Sequence, residues 1–445
     1  SHPVTMAVRA SSRSTGSGSQ RLFGKASLVG NTVRAKIGGR VTALAIPSSE
    51  AAKLERAGQD AAAHRKLQQG PDHALEVEHV YGYTEGCQNV ISTGRGSYCY
   101  TASSLGILWD EESQTQRFLQ GHTAEVTAIA YSSSNQLIAT GQKFVGNKSS
   151  GIRVWSVDQP GPVKEKFQIL GHNQSVYSLA FSADGRWLFS MAAEERSKGS
   201  KGSSGRSNEL TATTSPLCAW RLDDAKLKAG LQPRASHLRL AMKEKVRLVP
   251  HPEESNRLLA FGGRAAYFIT CDWAAKDVSQ RATWNSPSPP DGAGLAFYGF
   301  SAGCFIPGED NLVVLAVPGG VFVIDALESG PVCRYGLPLE ELEVRFLLPL
   351  PSGHLLVGGS GTSLSLLEPE LSGASRVTVA GVSAPDFAAA AVTAPGTAEA
   401  GVELVAGAGN GALLKLRLDI ETRQCSGELL QQSPSGMAEV RALAV

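Results

Sequence analysis

The sequence has no C-x-x-C pair among its seven cysteines, which stand singly at positions 87, 99, 218, 271, 304, 333 and 425. An odd, scattered set excludes a full disulfide framework and fits a reducing, intracellular compartment. The nine histidines do not flank these cysteines at ligand spacing, so neither a zinc site nor any other cofactor is expected. No apolar run approaches the ~18–20 residues that cross a bilayer, which removes a membrane partner from the expectations. Charge of either sign is nearly balanced, at a net +1. That excludes a chain drawn to polyanions over its whole surface but leaves room for local basic patches. Basic residues are not interleaved with aromatics, and aromatics are only 7 % of the chain, so nucleic acid is not an expected partner.

The motifs of catalysis are missing too. There is no G-x-x-x-x-G-K-[ST] phosphate loop, no H-E-x-x-H zinc helix and no G-x-S-x-G elbow. The run GAGNGA, Gly407 to Ala412, falls between two strand-like segments with no helix whose N-terminus could hold phosphate. It reads as a hairpin turn. Positions that would enter a central channel are mostly apolar or small, so an enzyme is not expected.

What the chain has in quantity is glycine, 48 residues of it, among short apolar runs, with 42 % apolar residues overall. This is the composition of an all-β protein with many turns. The first 49 residues contain no Asp or Glu, yet carry Arg9, Arg13, Arg21, Lys25, Arg34, Lys36 and Arg40. Residues 1–29 are expected to be a disordered basic arm, either solvated or laid on an acidic partner. From Asn31, NTVRAKIGGRVTALAIPSS alternates apolar and polar residues around Gly38-Gly39, predicting strand, turn, strand. Residues 49–69 are rich in Ala, Glu, Lys and Arg and predict a short surface helix or a linker.

A repeat then emerges. Apolar runs ending in Trp or its equivalent recur as LGILWDEES, GIRVWSVDQ, PLCAWRLDD, AAYFITCDW, GVFVIDALE, TSLSLLEPE and ALLKLRLDI. Most are preceded by a pair of strand-like runs such as VTAIAYSSSNQLIATGQ or VYSLAFSADGRWLFSMA. The spacing of about 40–50 residues is that of one four-stranded propeller blade. Counting the runs as outer strands gives about seven blades over residues 77–435. A single blade has two apolar faces and cannot bury both alone; ringed blades cover one another. Gly121-His122 and Gly171-His172 introduce two units, and their imidazoles are placed to bond a turn residue and a strand hydroxyl. Trp109, Trp155 and Trp220 read as packing residues between blades.

Three segments narrow the fold to a family. LEVEHVYGYTEGCQNVI, Leu75 to Ile91, carries Val80-Tyr81-Gly82-Tyr83; VRAKIGGRVTALAIPSS precedes it, and QTQRFLQGHTAEVTAIAYSSSNQLIATGQ follows. Together they resemble the N-terminal WD40 propeller of the echinoderm microtubule-associated protein-like (EMAP-like) family, with its hydrophobic EMAP-like (HELP) motif. The departures are Gly38-Gly39-Arg40-Val41, which lacks the usual Arg and Pro, and His79 in place of a Trp. The resemblance implies that residues 30–90 fold into the propeller. It also implies that 436–445, GMAEVRALAV, open a second ring, although the same strand could close the first. As function it implies a non-catalytic scaffold on tubulin, microtubules or axonemal proteins, in the cytoskeleton of a cilium or flagellum and within a large assembly. The rival reading is a general WD40 adaptor for a cytosolic complex.

Tubulin is acidic, so the candidate contacts are basic. One is the insertion ERSKGSKGSSGRSNE, with Arg196, Lys198, Lys201 and Arg206; Arg34, Lys36 and Arg40 of the N-terminal segment are a second. The third is RASHLRLAMKEKVR, with Arg234, Arg239, Lys243, Lys245 and Arg247, which reads more readily as an exposed strand edge.

Overall fold

The computed structural model describes residues 5–12, 27–29, 32–37, 40–45, 73–84, 89–94, 96–145, 150–159, 161–172, 174–193, 216–222, 235–239, 246–272, 277–285, 295, 299–327, 330–339, 342–382, 386–394 and 401–431. Every regular element among them is a β-strand. The chain divides into two compact units, one spanning Thr5–Tyr81 and the other Gly82–Ser433.

In the first unit, Thr32–Ile37 and Arg40–Ala45 pair antiparallel around Gly38-Gly39, and Ser27–Val29 adds a third strand. This is the strand, turn, strand read from the alternation. Separately, Thr5–Ser12 pairs along its whole length with His73–Tyr81. The arm expected to be disordered over 1–29 therefore contains ordered strand. The reason lies in its composition: TMAVRASS has Val and Thr, no Gly and no Pro, and a long partner strand supplies the ladder. Gly and Ser elsewhere in the arm had masked this segment. The expectations for residues 49–69 and 436–445 fall outside the described residues.

The described residues of the second unit form seven blades of four consecutive antiparallel strands, the last two joined edge to edge in one eight-stranded sheet. They cover residues 90–119, 126–172, 175–239, 247–285, 302–338, 344–380 and 387–431. The Trp-ending runs are the third strand of each blade, not the outermost. Leu105–Asp110 pairs on one side with Ser97–Ala102 and on the other with Thr115–Leu119. A third strand lies between neighbours in its own sheet and between blades above and below, so it reads as a continuous apolar run; five of the six residues in Leu105–Asp110 are buried. Outermost strands are half-solvated and carry little signal: only Leu119 is buried in Thr115–Leu119. Val402–Ala408 and Leu413–Asp419 are antiparallel neighbours joined by the GAGNGA turn.

The core lies between blades. Cys99, Leu108 and Leu119 of blade 1 pack with Ile129, Ile138 and Trp155 of blade 2. Phe181, Leu188 and Trp220 of blade 3 pack with Ala139, Val154 and Ile169 of blade 2. Burying such side chains stabilises by about 1.5–3 kcal/mol each, so neither blade of a pair is complete alone. Near the start of the innermost strand, blades 2, 3, 6 and 7 share a register shift, at Val126/Ala128, Val176/Ser178, Val344/Phe346 and Phe387/Ala389. Such bulges add twist and turn one side chain out of the ladder. In blade 6 that side chain is Arg345.

Candidate functional site

The two Gly-His sequences build buried polar relays. His122 Nδ1–H donates to Gln142 Oε1 at 2.9 Å, and the Thr140 hydroxyl lies 2.7 Å from His122 Nε2. The Trp155 indole N–H donates to the same Thr140 oxygen at 2.7 Å. Because Gln142 Oε1 can only accept, Nδ1 carries a proton. Blade 3 repeats the arrangement with Ser190, which lies 2.8 Å from His172 Nε2 and receives the Trp220 N–H at 2.7 Å. Gly121 backs onto the Arg153 guanidinium, and a Cβ there would come within 2.9 Å of it. Gly171 belongs to the strand that ends at His172. The indole and imidazole bonds of each relay stay within blade and loop, so they clamp the loop ahead of an inner strand.

Tyr81, Gly82 and Tyr83 straddle the boundary between the units. Tyr81 ends the strand His73–Tyr81 and is exposed. Gly82 adopts φ of 91°, and Tyr83 is buried at the seam where blade 7 meets blade 1. Its N–H donates to Gly411 O at 3.1 Å, and its ring lies on Gly407, where a Cβ would meet it at 2.5 Å. The seam is completed by Tyr100 Oη donating to Gln431 Oε1 at 2.7 Å, and by the Lys415–Glu111 ion pair. Blades 1 and 7 each take all four strands from their own stretch of chain, so side chains join them rather than a shared strand. Glu403 lies 3.4 Å from Lys415 and 2.8 Å from Arg417. The Arg417 hydrogen bond, with Lys415 beside it, holds the Glu403 carboxyl below its ordinary pKa. Burial alone would lower the Lys415 ammonium, but Glu111 and Glu403 override it and raise it.

A set of contacts that the sequence did not announce joins the turns after the inner strands. Asn135 of blade 2 donates to Gly185 O of blade 3 at 2.9 Å, and Asp184 N donates to Ser255 Oγ of blade 4 at 3.0 Å. Arg257 then donates to Asp310 O and Asn311 Oδ1 of blade 5, at 2.7 and 2.9 Å. His251 takes Glu253 N and Glu254 N on Nδ1 and donates from Nε2 to Asp310 O at 3.1 Å. The available signal was His251 flanked by prolines just after a strand end.

The innermost strands of all seven blades surround a central channel of about 290 Å³, lined among others by Ile91, Tyr131, Leu179, Arg247, Gly303, Phe346 and Ala390. Most of the side chains along the channel are apolar; two, Arg247 and Arg345, are charged. Arg247, read from the sequence as part of an exposed edge, is the first residue of the innermost strand of blade 4. Its guanidinium donates to Ser301 O, just before the blade 5 strand, and to Arg345 O of blade 6 at 3.4 Å. Arg345, turned out by its bulge, pairs with Asp386 at 2.5 Å.

The basic insertion with Arg196, Lys198, Lys201 and Arg206 lies outside the described residues. Arg34 and Lys36 share the strand Thr32–Ile37, and Arg40 opens its partner. Among the described residues, no group of three or more His, Cys, Asp or Glu could hold a metal ion. Burial pushes the Cys218, Cys271 and Cys304 thiols up to about 12, far from the thiolate a nucleophile needs.

The WD domain, G-beta repeat model matches residues 113–156 and 164–201, from the fourth strand of blade 1 through the second strand of blade 3. Cilia- and flagella-associated protein 251 of Chlamydomonas reinhardtii is 24 % identical over 59 % of this chain and 31 % of its own length. The 77 kDa echinoderm microtubule-associated protein of Lytechinus variegatus is 31 % identical over 25 % of this chain and 18 % of its own. The chain carries WD40 repeats and is similar, at modest identity, to EMAP-like WD40 proteins. Cilia- and flagella-associated protein 251 of Tetrahymena thermophila adds a match of 29 % identity over 27 % of the chain and 12 % of the relative. The chain thus spans less than a third of the length of each of these relatives.

Proposed function

We propose that this EMAP-like chain is a non-catalytic scaffold that associates with microtubules or axonemal proteins in a cilium or flagellum. The observation that carries the reading is that relatives named as cilia- and flagella-associated and as microtubule-associated both align with it. The geometry is compatible: a ring of blades held by buried relays offers loops and faces to partners, and its described thiols other than Cys333 are buried. Contacts to an acidic lattice would come from Arg196, Lys198, Lys201 and Arg206, and from Arg34, Lys36 and Arg40 on the hairpin that we take to be the HELP-like motif. Each exposed ion pair is worth about 0–1 kcal/mol, so binding rests on several contacts and on the repetition of sites along a filament.

Co-sedimentation with polymerised microtubules across a salt series tests this. Pelleting that falls with salt and weakens when the four basic residues of the insertion become Gln or Ser supports it. No pelleting even at low salt removes direct lattice binding. The general adaptor then remains, and the amphipathic channel is the observation that favours it.

A further inference from the structure

We infer that the ring meets an acidic filament with one defined face, formed by the second-to-third turns of its blades and the connections between blades. This rests on the association with microtubules proposed above and names the side of the ring that takes part.

In a blade of four consecutive antiparallel strands, the first-to-second and third-to-fourth turns lie at one end. The second-to-third turn and the link to the next blade lie at the other. The bonds from Asn135 to Gly185, Asp184 to Ser255 and Arg257 to Asp310 set the first kind of end side by side in blades 2 to 5. Arg247, bonded to Ser301 and Arg345, does the same for the second kind in blades 4 to 6. Charge is divided unevenly between these two faces. Among the described residues, the first-to-second turns carry Asp184, Glu253, Glu254, Glu309 and Asp310. The third-to-fourth turns carry Glu111, Glu112, Asp158, Glu368, Glu370 and Glu421. Against these eleven carboxylates the same turns hold two arginines, Arg186 and Arg423, while Lys415 and Arg257 reach in from strands to Glu111 and Glu254. Glu112, Glu253, Glu309, Asp310 and Glu370 are exposed. The other face is close to neutral, with Glu125, Glu343 and Asp386 against Lys143, Arg247, Arg264 and Arg345.

An acidic lattice repels the first face and not the second. Third strands of five to eight residues, rising ~3.3 Å per residue, hold the two faces roughly 17–26 Å apart. The Debye length at physiological ionic strength is about 8 Å. Carboxylates on the far side of the ring are therefore screened from the filament by about two Debye lengths or more. Pressed against the filament, the same groups would oppose binding with little screening. Docking with the acidic face outward avoids that repulsion. The basic insertion agrees with this orientation. It joins Ala193, the end of the second strand of blade 3, to Pro216, the start of the third, so both of its attachment points are on the face turned to the filament.

The test places the photoreactive residue p-benzoylphenylalanine at four exposed positions of the full chain, one per variant. Val145 and Thr362 report on the second-to-third side, Ser133 and Pro307 on the acidic side. Variants that melt like the parent are bound to polymerised microtubules, irradiated and blotted for tubulin. Val145 and Thr362 should give tubulin adducts, and Ser133 and Pro307 should give none. Arg264→Glu should weaken pelleting about two- to fivefold at low salt, the range of one exposed ion pair. E112Q, E253Q, E309Q and E370Q combined should leave pelleting within about twofold of the parent, because these groups are screened from the filament. Tubulin adducts from Ser133 or Pro307, or pelleting without adducts from Val145 and Thr362, would overturn the orientation while lattice binding stands. No pelleting at low salt removes lattice binding itself, and the orientation falls with it.

Discussion

At the scale of single residues, Thr140 connects His122 and Trp155 through one hydroxyl. Thr140→Val keeps the shape but strands a buried imidazole nitrogen and an indole N–H, for a cost of about 1–3 kcal/mol. Thr140→Ser should lose less than half of that, and urea unfolding of the two variants separates polar from steric effects. The His and the Trp were visible in the sequence as a Gly-His and a run-ending aromatic. Thr140 lies in a strand-like run, LIATGQ, and nothing local shows that its hydroxyl faces a loop 18 residues earlier. Cysteine chemistry is a second residue-scale matter. Cys333 is only partly buried, whereas Cys218, Cys271 and Cys304 are buried with thiols near 12. Among these four, iodoacetamide at neutral pH should label Cys333 first and the other three only after denaturant is added, as read by peptide mass spectrometry.

At the scale of elements, the seam between blades 7 and 1 depends on packing and on charge. Gly407→Ala pushes a methyl into the Tyr83 ring and should cost about 1–3 kcal/mol, lowering the urea midpoint and raising amide exchange in Val90–Gly94 and Phe387–Ala394 before other inner strands. The charges give the seam a pH window. Glu403 has a lowered pKa, so its contribution is complete above the ordinary carboxylate value and is lost as pH falls through the lower folded one. Lys415 has a raised pKa, so its contribution is complete below the ordinary ammonium value and fades as pH climbs through the higher folded one. Glu403→Gln should therefore flatten the acid limb of a stability-versus-pH curve and leave the neutral plateau lower; an unchanged limb would show that Glu403 contributes nothing there. Seven units were legible because third strands are buried on both faces and read as apolar runs. The fourth strands were not, since a half-solvated edge such as Gly330–Pro338 has no strong period.

At the scale of the whole molecule, ring closure creates neighbours that no linear reading supplies. Arg247, Ser301, Arg345 and Asp386 belong to four different blades. Each looks ordinary in its own repeat, and Arg247 resembled one more charge on an edge until the ring turned it inward. The all-β class and the number of blades follow from patterning within about 40–50 residues; the channel's charge follows only from the way the blades are arranged. The net charge of +1 has a consequence at this scale too. With little overall field, pelleting with microtubules should depend on salt through a few local cations, giving a shallow slope that decreases further when the insertion is neutralised.

One edge of the ring departs from the rest: the outermost strands of blades 6 and 7 meet in parallel, Val379 beside Cys425 and Ala380 beside Ser426, fusing two blades into an eight-stranded sheet. Glycine at 427 allows the approach, because a Cβ there would meet Val382 at 2.6 Å. Mechanically, tension applied to the chain beyond Gln431 is carried first by the strand Gln424–Gln431, which is bonded on one side to its own blade and on the other to its neighbour. The load is divided between two blades before either can peel away, so this edge should yield last when the ring is stretched from that end.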